Sequence, residues 1–223
     1  MLLRCEDGAI EFGEGGPPGP GWLRAEMLDS VAELNELGLA LLADQAAVRT
    51  PQPAPQLARV AELVRRLDGA ARRRAAACPY LLLEAGFADL RRWRAVATAQ
   101  IADGGESSYA PFFTVSAALE VTRLVLTYAW HLARTQPAAA RLLLGMPAPC
   151  AAALGACSLR QVHGLAERHP EWLRPRWPAR PDVWLELLAA AAAGEGEALE
   201  RVRLHGLTLL AGEARLAAAT AAR

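Results

Sequence analysis

The chain has 223 residues, 53% of them hydrophobic, and a formal net charge of zero. That apolar content excludes disorder of the chain as a whole, and neutrality removes any whole-molecule attraction to nucleic acid or anionic lipid. Every basic residue is Arg, Asn occurs once (Asn35) and Ile twice (Ile10, Ile101); Ala, Leu and Arg favour helix and strand formers are few, so the composition predicts an all-α fold, a multi-helix bundle.

Residues 1–20 read as an arm. MLLRCEDGAIEF carries acids where a secretory leader needs an apolar stretch, and GEGGPPGPG holds neither helix nor strand because Gly and Pro interrupt both. No later apolar run reaches the length of a membrane span, so a cytoplasmic protein without a membrane partner is expected. Charge is uneven: residues 1–50 hold 3 Arg against 9 acids, residues 59–94 hold 9 Arg against 4, and residues 151–180 hold 5 against 2. Pairing within the chain is the simplest use of that pattern. Cys5, Cys78, Cys150 and Cys157 are too scattered for a disulfide framework and are expected as free thiols.

Residues 21–101 form an N-terminal helical unit. Leu23, Met27, Val31, Leu34, Leu37 (or Gly38), Leu41 and Leu42 recur at steps of three and four, with Glu26, Asp29, Glu33 and Glu36 on the other face, the pattern of an amphipathic helix. TPQPAP at 50–55 ends it. Leu57, Val60, Ala61, Val64 and Leu67 begin a second helix that runs on into GAARRRAAA. There Arg72, Arg73 and Arg74 point to different sides and suit the negative end of the helix dipole better than a phosphate. In CPYLLLEAGFADLRRWR (78–94), Pro79 suits a first helical turn, the Leu81–Leu83 run must be buried, and Asp89 can cap a helix carrying Trp93. Tyr80, Phe87 and Trp93 are core aromatics or the lining of a ligand pocket. ADGGESSYAP at 102–111 is the clearest internal break.

A second helical unit spans residues 112–193. Ser116, Glu120, Arg123, Thr127, His131 and Arg134 make one narrow polar stripe on an otherwise apolar helix, which therefore belongs at the centre of a bundle or a dimer. His131 can titrate or bind a ligand there, or simply be solvated. Pro137 opens a short helix ending at Gly145, and Pro147 and Pro149 open the next. In LGACSLRQVHGLAER (154–168), Ser158 and Gln161 have the spacing of a capping box. Helix, tight turn and capped helix make a helix-turn-helix-like unit; small Ala151 and Gly155 permit close approach of its helices, and the second presents Arg160, Gln161, His163 and Arg168 outward. Gln161 stands where DNA-reading versions carry an aliphatic residue, and Val162 follows one place later.

Beyond it, Trp172, Trp177 and Trp184 alternate with Arg168, Arg174, Arg176 and Arg180. Two accounts fit. Arg and exposed Trp make a surface for nucleic acid or a protein, or each Trp seals a helix end while Arg stacks on it. An Ala-rich helix carrying Leu199, Val202, Leu209 and Leu216 ends the chain at 197–223.

Across residues 119–188 the order of parts resembles FlhD, the helical subunit of the bacterial flagellar master regulator. The shared positions are Leu154, Gly155, Ala156, Ser158, Leu159, Gln161, Leu165, Ala166 and Glu167. The resemblance implies a dimeric all-α transcription regulator that acts on promoter DNA with a partner subunit. Residues 1–100 have no counterpart in that family.

Enzyme chemistry finds no foothold. Phosphate loop, dinucleotide fingerprint and nucleophile elbow are all missing from the sequence, and no cofactor is implied. Cys150, Cys157, His163 and His169 are spaced too widely for a zinc set, Glu120 and His131 lie three turns apart, and Cys78 has no neighbouring His. The reading is a non-enzymatic regulator or adaptor. Its expected partners are a second copy and another protein, with DNA as a further candidate, through Arg160, Gln161, His163, Arg168, Trp172, Arg174, Arg176, Trp177 and Arg180.

Overall fold

A computed structural model describes residues 23–47, 57–97 and 111–221. The arm at 1–20, the Pro-rich loop at 50–55 and nearly all of the break at 102–111 lie outside them. Among the described residues the protein is a bundle of ten α-helices with one two-stranded ladder.

The first helix, α1 (Ala25–Ala47), buries Val31, Leu34, Leu39 and Leu42 against α2 (Ala58–Arg66) and α3 (Gly69–Ala76). The periodicity of 57–76 reads as one helix, but Asp68 divides it. Its backbone is extended and its carboxylate accepts the Ala71 N–H at 2.6 Å, an N-cap that starts a new helix at a new angle.

After α3 the chain departs from the helical expectation. Pro79 opens no helix; the chain runs extended, and β1 (Leu83–Glu84) pairs antiparallel with β2 (Arg174–Pro175). Tyr80, Leu81, Leu82 and Leu83 are at most 2% exposed, so their backbone groups have no water to bond. Distant parts of the chain supply the partners. Asn35 donates to the carbonyls of Ala76 (2.9 Å) and Tyr80 (3.0 Å) and accepts from the Leu82 N–H (2.7 Å). The Leu81 N–H donates to Leu143 O, and Leu82 O accepts from the Arg176 N–H. Arg176, buried, donates to the carbonyls of Leu81 (2.9 Å), Leu83 (3.3 Å) and Leu144 (3.0 Å).

Gly86 turns the chain at φ +68°, and α4 (Leu90–Ala97) begins where Asp89 caps the Arg92 N–H. Trp93 is buried and donates its indole N–H to Gly86 O.

Next comes α5 (Val115–Thr135), touched by α1, by α6 (Pro137–Leu144), by α7 (Ala148–Ala156), by α8 (Leu159–Arg168) and by a 3-10 turn at Pro170–Trp172. Its narrow polar stripe is the side left open: Ser116, Glu120, His131 and Arg134 are exposed, while Arg123 and Thr127 are half-buried. After β2, α9 (Pro181–Ala193) and α10 (Gly196–Ala221) close the bundle. One hydrophobic core joins residues from the units at 21–101 and 112–193 and from α10, with α4 on α7 and α3 on α9. No single described helix is long and apolar enough to cross a membrane.

Asn35→Ala strands an N–H and two carbonyls in the core, and each buried orphan costs about 1–3 kcal/mol. A urea melt should show a loss of about 3 kcal/mol or more, against less than about 0.5 for exposed Glu36→Ala. Gly206 of α10 seats the Tyr80 ring: a Cβ there would lie 2.0 Å from the Tyr80 hydroxyl, whereas one at Gly212 meets nothing within 4 Å. The same assay should find Gly206→Ala destabilised by at least about 2 kcal/mol. Gly212→Ala should gain roughly 0.5–1 kcal/mol from helix propensity.

Candidate interaction site

Two residues, Cys157 and Ser158, separate α7 from α8. Ser158 adopts extended backbone (φ −77°, ψ 156°), and its hydroxyl accepts the Gln161 N–H at 3.3 Å. The Gln161 carboxamide oxygen accepts in return from the Ser158 N–H (2.8 Å) and hydroxyl (2.9 Å). The capping box expected from the spacing is complete.

Of the two helices of the motif, α8 packs chiefly on α5, while α7 lies against both α5 and α4. Gly155 makes the close approach foreseen for it, but to α5 and not to α8: a Cβ there would stand 3.3 Å from Ala133 O. Trp130 of α5 donates its indole N–H to Cys157 O at 2.8 Å, which pins the turn. Val162, Leu165 and Ala166 form the buried face of α8. At its far end Arg123 and Glu167 form an exposed ion pair at 3.5 Å.

The nine residues singled out by sequence divide into two groups. Arg160, Gln161 and Arg168 are exposed and His163 is half-buried, so α8 presents them outward together. Gln161 has its carboxamide oxygen engaged in the cap. Arg168 folds back along the helix, its Nη1 lying 3.2 Å from where a Gly164 Cβ would stand.

The Trp/Arg tail is mostly interior, and the sealing account describes it better than the surface account. Trp172 is 6% exposed, with the His169 ring stacked on it at 4.4 Å and the Arg92 guanidinium 4.3 Å from its centroid. His169 Nδ1 lies 3.0 Å from the Glu171 carboxylate. Arg174 pairs with Glu84 across the ladder. Arg176 is 4% and Trp177 7% exposed, and Trp177 takes φ +51°, unusual for a bulky residue. Trp184 donates to Arg176 O at 2.7 Å. Arg180 is exposed and paired with Asp182.

Other chemistry is sparse. Burial pushes the Cys78 and Cys150 thiols up to about 11 and raises that of Cys157, so all three are poor thiolates at neutral pH. These three cysteines are free and buried. Among the described residues no three His, Cys, Asp or Glu side chains gather into a metal-holding group, and Cys150, Cys157, His163 and His169 are not brought together as one.

Asn35, which organises the core, is not among the residues singled out from sequence as functional. Its signal was present: the single Asn of the chain falls on the same helical face as Val31 and Leu42, where a polar residue needs buried partners. No family model, curated protein or solved structure matches the chain.

Proposed function

We propose that this is a non-enzymatic helical regulatory protein that works through the outward edge of α8. It does so as a transcription regulator with a partner subunit, and as a homodimer, in line with its resemblance to FlhD. The observation that carries this reading is the contrast within the Trp/Arg region. Trp172, Arg176 and Trp177 are committed to the core, while Arg160, His163 and Arg168 stand together on a capped helix seated firmly on α5. Exposed guanidinium groups on a rigid element can meet phosphates or carboxylates with little ordering cost.

A second reading, an adaptor that binds protein without DNA, is favoured by one detail. Gln161, the side chain best suited to read adenine, has its oxygen held by Ser158, and Glu167 places a negative charge beside the Arg pair.

Both readings make Arg160 and Arg168 the residues to test. Their truncation on the exposed edge should cost less than about 0.5 kcal/mol of stability, so lost binding would not reflect unfolding. Capture from native host lysate, with and without nuclease, compares wild type with Arg160→Ala/Arg168→Ala. The regulator predicts retained duplex DNA that weakens as salt rises and is retained more weakly by the variant, whose salt slope falls by about two. Nuclease-resistant capture of a protein, abolished by the same substitutions, selects the adaptor. Capture that is unchanged in the variant removes α8 from either role.

A further inference from the structure

The open side of α5 and the outward edge of α8 form one continuous face, bounded by where α1 begins. Tyr128 and Trp130 are roughly 200° apart around α5 at the normal helical twist. The Tyr128 hydroxyl donates to Met27 O in the first turn of α1 at 2.8 Å, whereas Trp130 donates to Cys157 O beside α8. The polar stripe of α5 therefore lies between them.

This face carries cations that the fold leaves unneutralised. Arg134, Arg160 and Arg168 are exposed and form no ion pair among the described residues; Arg123 has Glu167, and Glu120 is the other acid on the stripe. Four Arg thus stand against two Glu. Between and beside them, Leu124 is 43% and Leu159 41% exposed.

The chain itself supplies a matching ligand. Residues 1–12, MLLRCEDGAIEF, hold three acids and one Arg among Leu2, Leu3, Ile10 and Phe12. They are joined to the described chain by GEGGPPGPG, ahead of Trp22 and Leu23. Extended at about 3.1 Å per residue, that nine-residue joint reaches about 28 Å. Crossing from α1 over α5 to α8 takes two helix spacings, about 20 Å. A tether this short holds the segment at roughly millimolar effective concentration, so individually weak charge pairs suffice.

We propose that residues 1–12 dock within the same molecule on the α5/α8 face, their acids against Arg134, Arg160 and Arg168 and their apolar side chains over Leu124 and Leu159. The docked segment covers the edge assigned above to a partner, and a partner has to displace it. That consequence rests on the proposed function; the docking itself does not.

Cys5 lies within the docking segment, and the three other cysteines are buried, so brief treatment of the full chain with benzophenone-maleimide places a photocrosslinker at Cys5. Irradiation at 50 mM salt, followed by peptide mapping on a mixture of light and isotopically heavy chains, reads the site without any partner. Same-chain crosslinks are expected on peptides from 116–134 and 158–168. They should fall by about threefold or more at 500 mM salt, where exposed charges are screened, and likewise in Glu6→Gln/Asp7→Asn/Glu11→Gln, which leaves the core untouched. Crosslinks spread over other helices, crosslinks between light and heavy chains, or yields indifferent to salt and charge overturn the proposal. Unchanged lysate capture by Arg160→Ala/Arg168→Ala, with crosslinking of the wild-type chain as expected, would reject the proposed function and leave the docking standing.

Discussion

A short length of extended backbone buried inside a helical protein sets the terms for the rest of this fold. Helices satisfy their own peptide groups, so a helical core can be almost wholly apolar. Leu81, Leu82 and Leu83 cannot do so, and sealed from water each unpaired group would cost about 1–3 kcal/mol. Three separate regions answer. The chain's one Asn reaches in from α1, Leu143 offers a carbonyl from the end of α6, and Arg176 brings both its backbone and its guanidinium from the tail. N-terminal unit, central helices and tail are thereby bound to one another through the strand.

Arg176 is the costly member of this arrangement. Removing a charge from water costs several kcal/mol, and burial lowers its proton affinity accordingly. Its nearest carboxylate, Glu213, is 3.8 Å away and itself 44% exposed, so ion pairing is a weak contributor. The three carbonyls matter more, since hydrogen bonds to a charged donor are worth about 1.5–3 kcal/mol each. Together they offset the desolvation. The guanidinium fits because a planar fork can reach Leu81, Leu83 and Leu144 from one position, which the point charge of a lysine could not.

Much of the architecture was legible because it depends on short-range signals. Pro137, Gly145 and Pro147 mark the limits of α6 and α7, Ser158 and Gln161 set the start of α8, and the stripe on α5 names its open side. What escaped was chiefly long-range. Leu-rich 80–84 looks helical until partners more than 40 residues away are considered, whereas Asp68, a local cap on the Ala71 N–H, is hidden in a run of good helix formers. For the candidate residues the division is the same. Arg160 and Arg168 are readable as outward from the period of α8, whereas Arg176 and Trp177 sit beyond any period, and only the fold decides whether such a cation is surface or staple.

This division bears on how an activity could be carried. In the tail, Trp172, Arg176 and Trp184 are tied to the strand, α9 and the 3-10 turn. The edge of α8 has the opposite character: its inner face is packed and its cap satisfied, yet its cations contribute nothing to the core. A surface that is rigidly held and structurally dispensable is free to answer to a ligand alone. Recognition can then be tuned at Arg160 or Arg168 without weakening the fold, whereas any change at Arg176 alters the protein before it alters the contact.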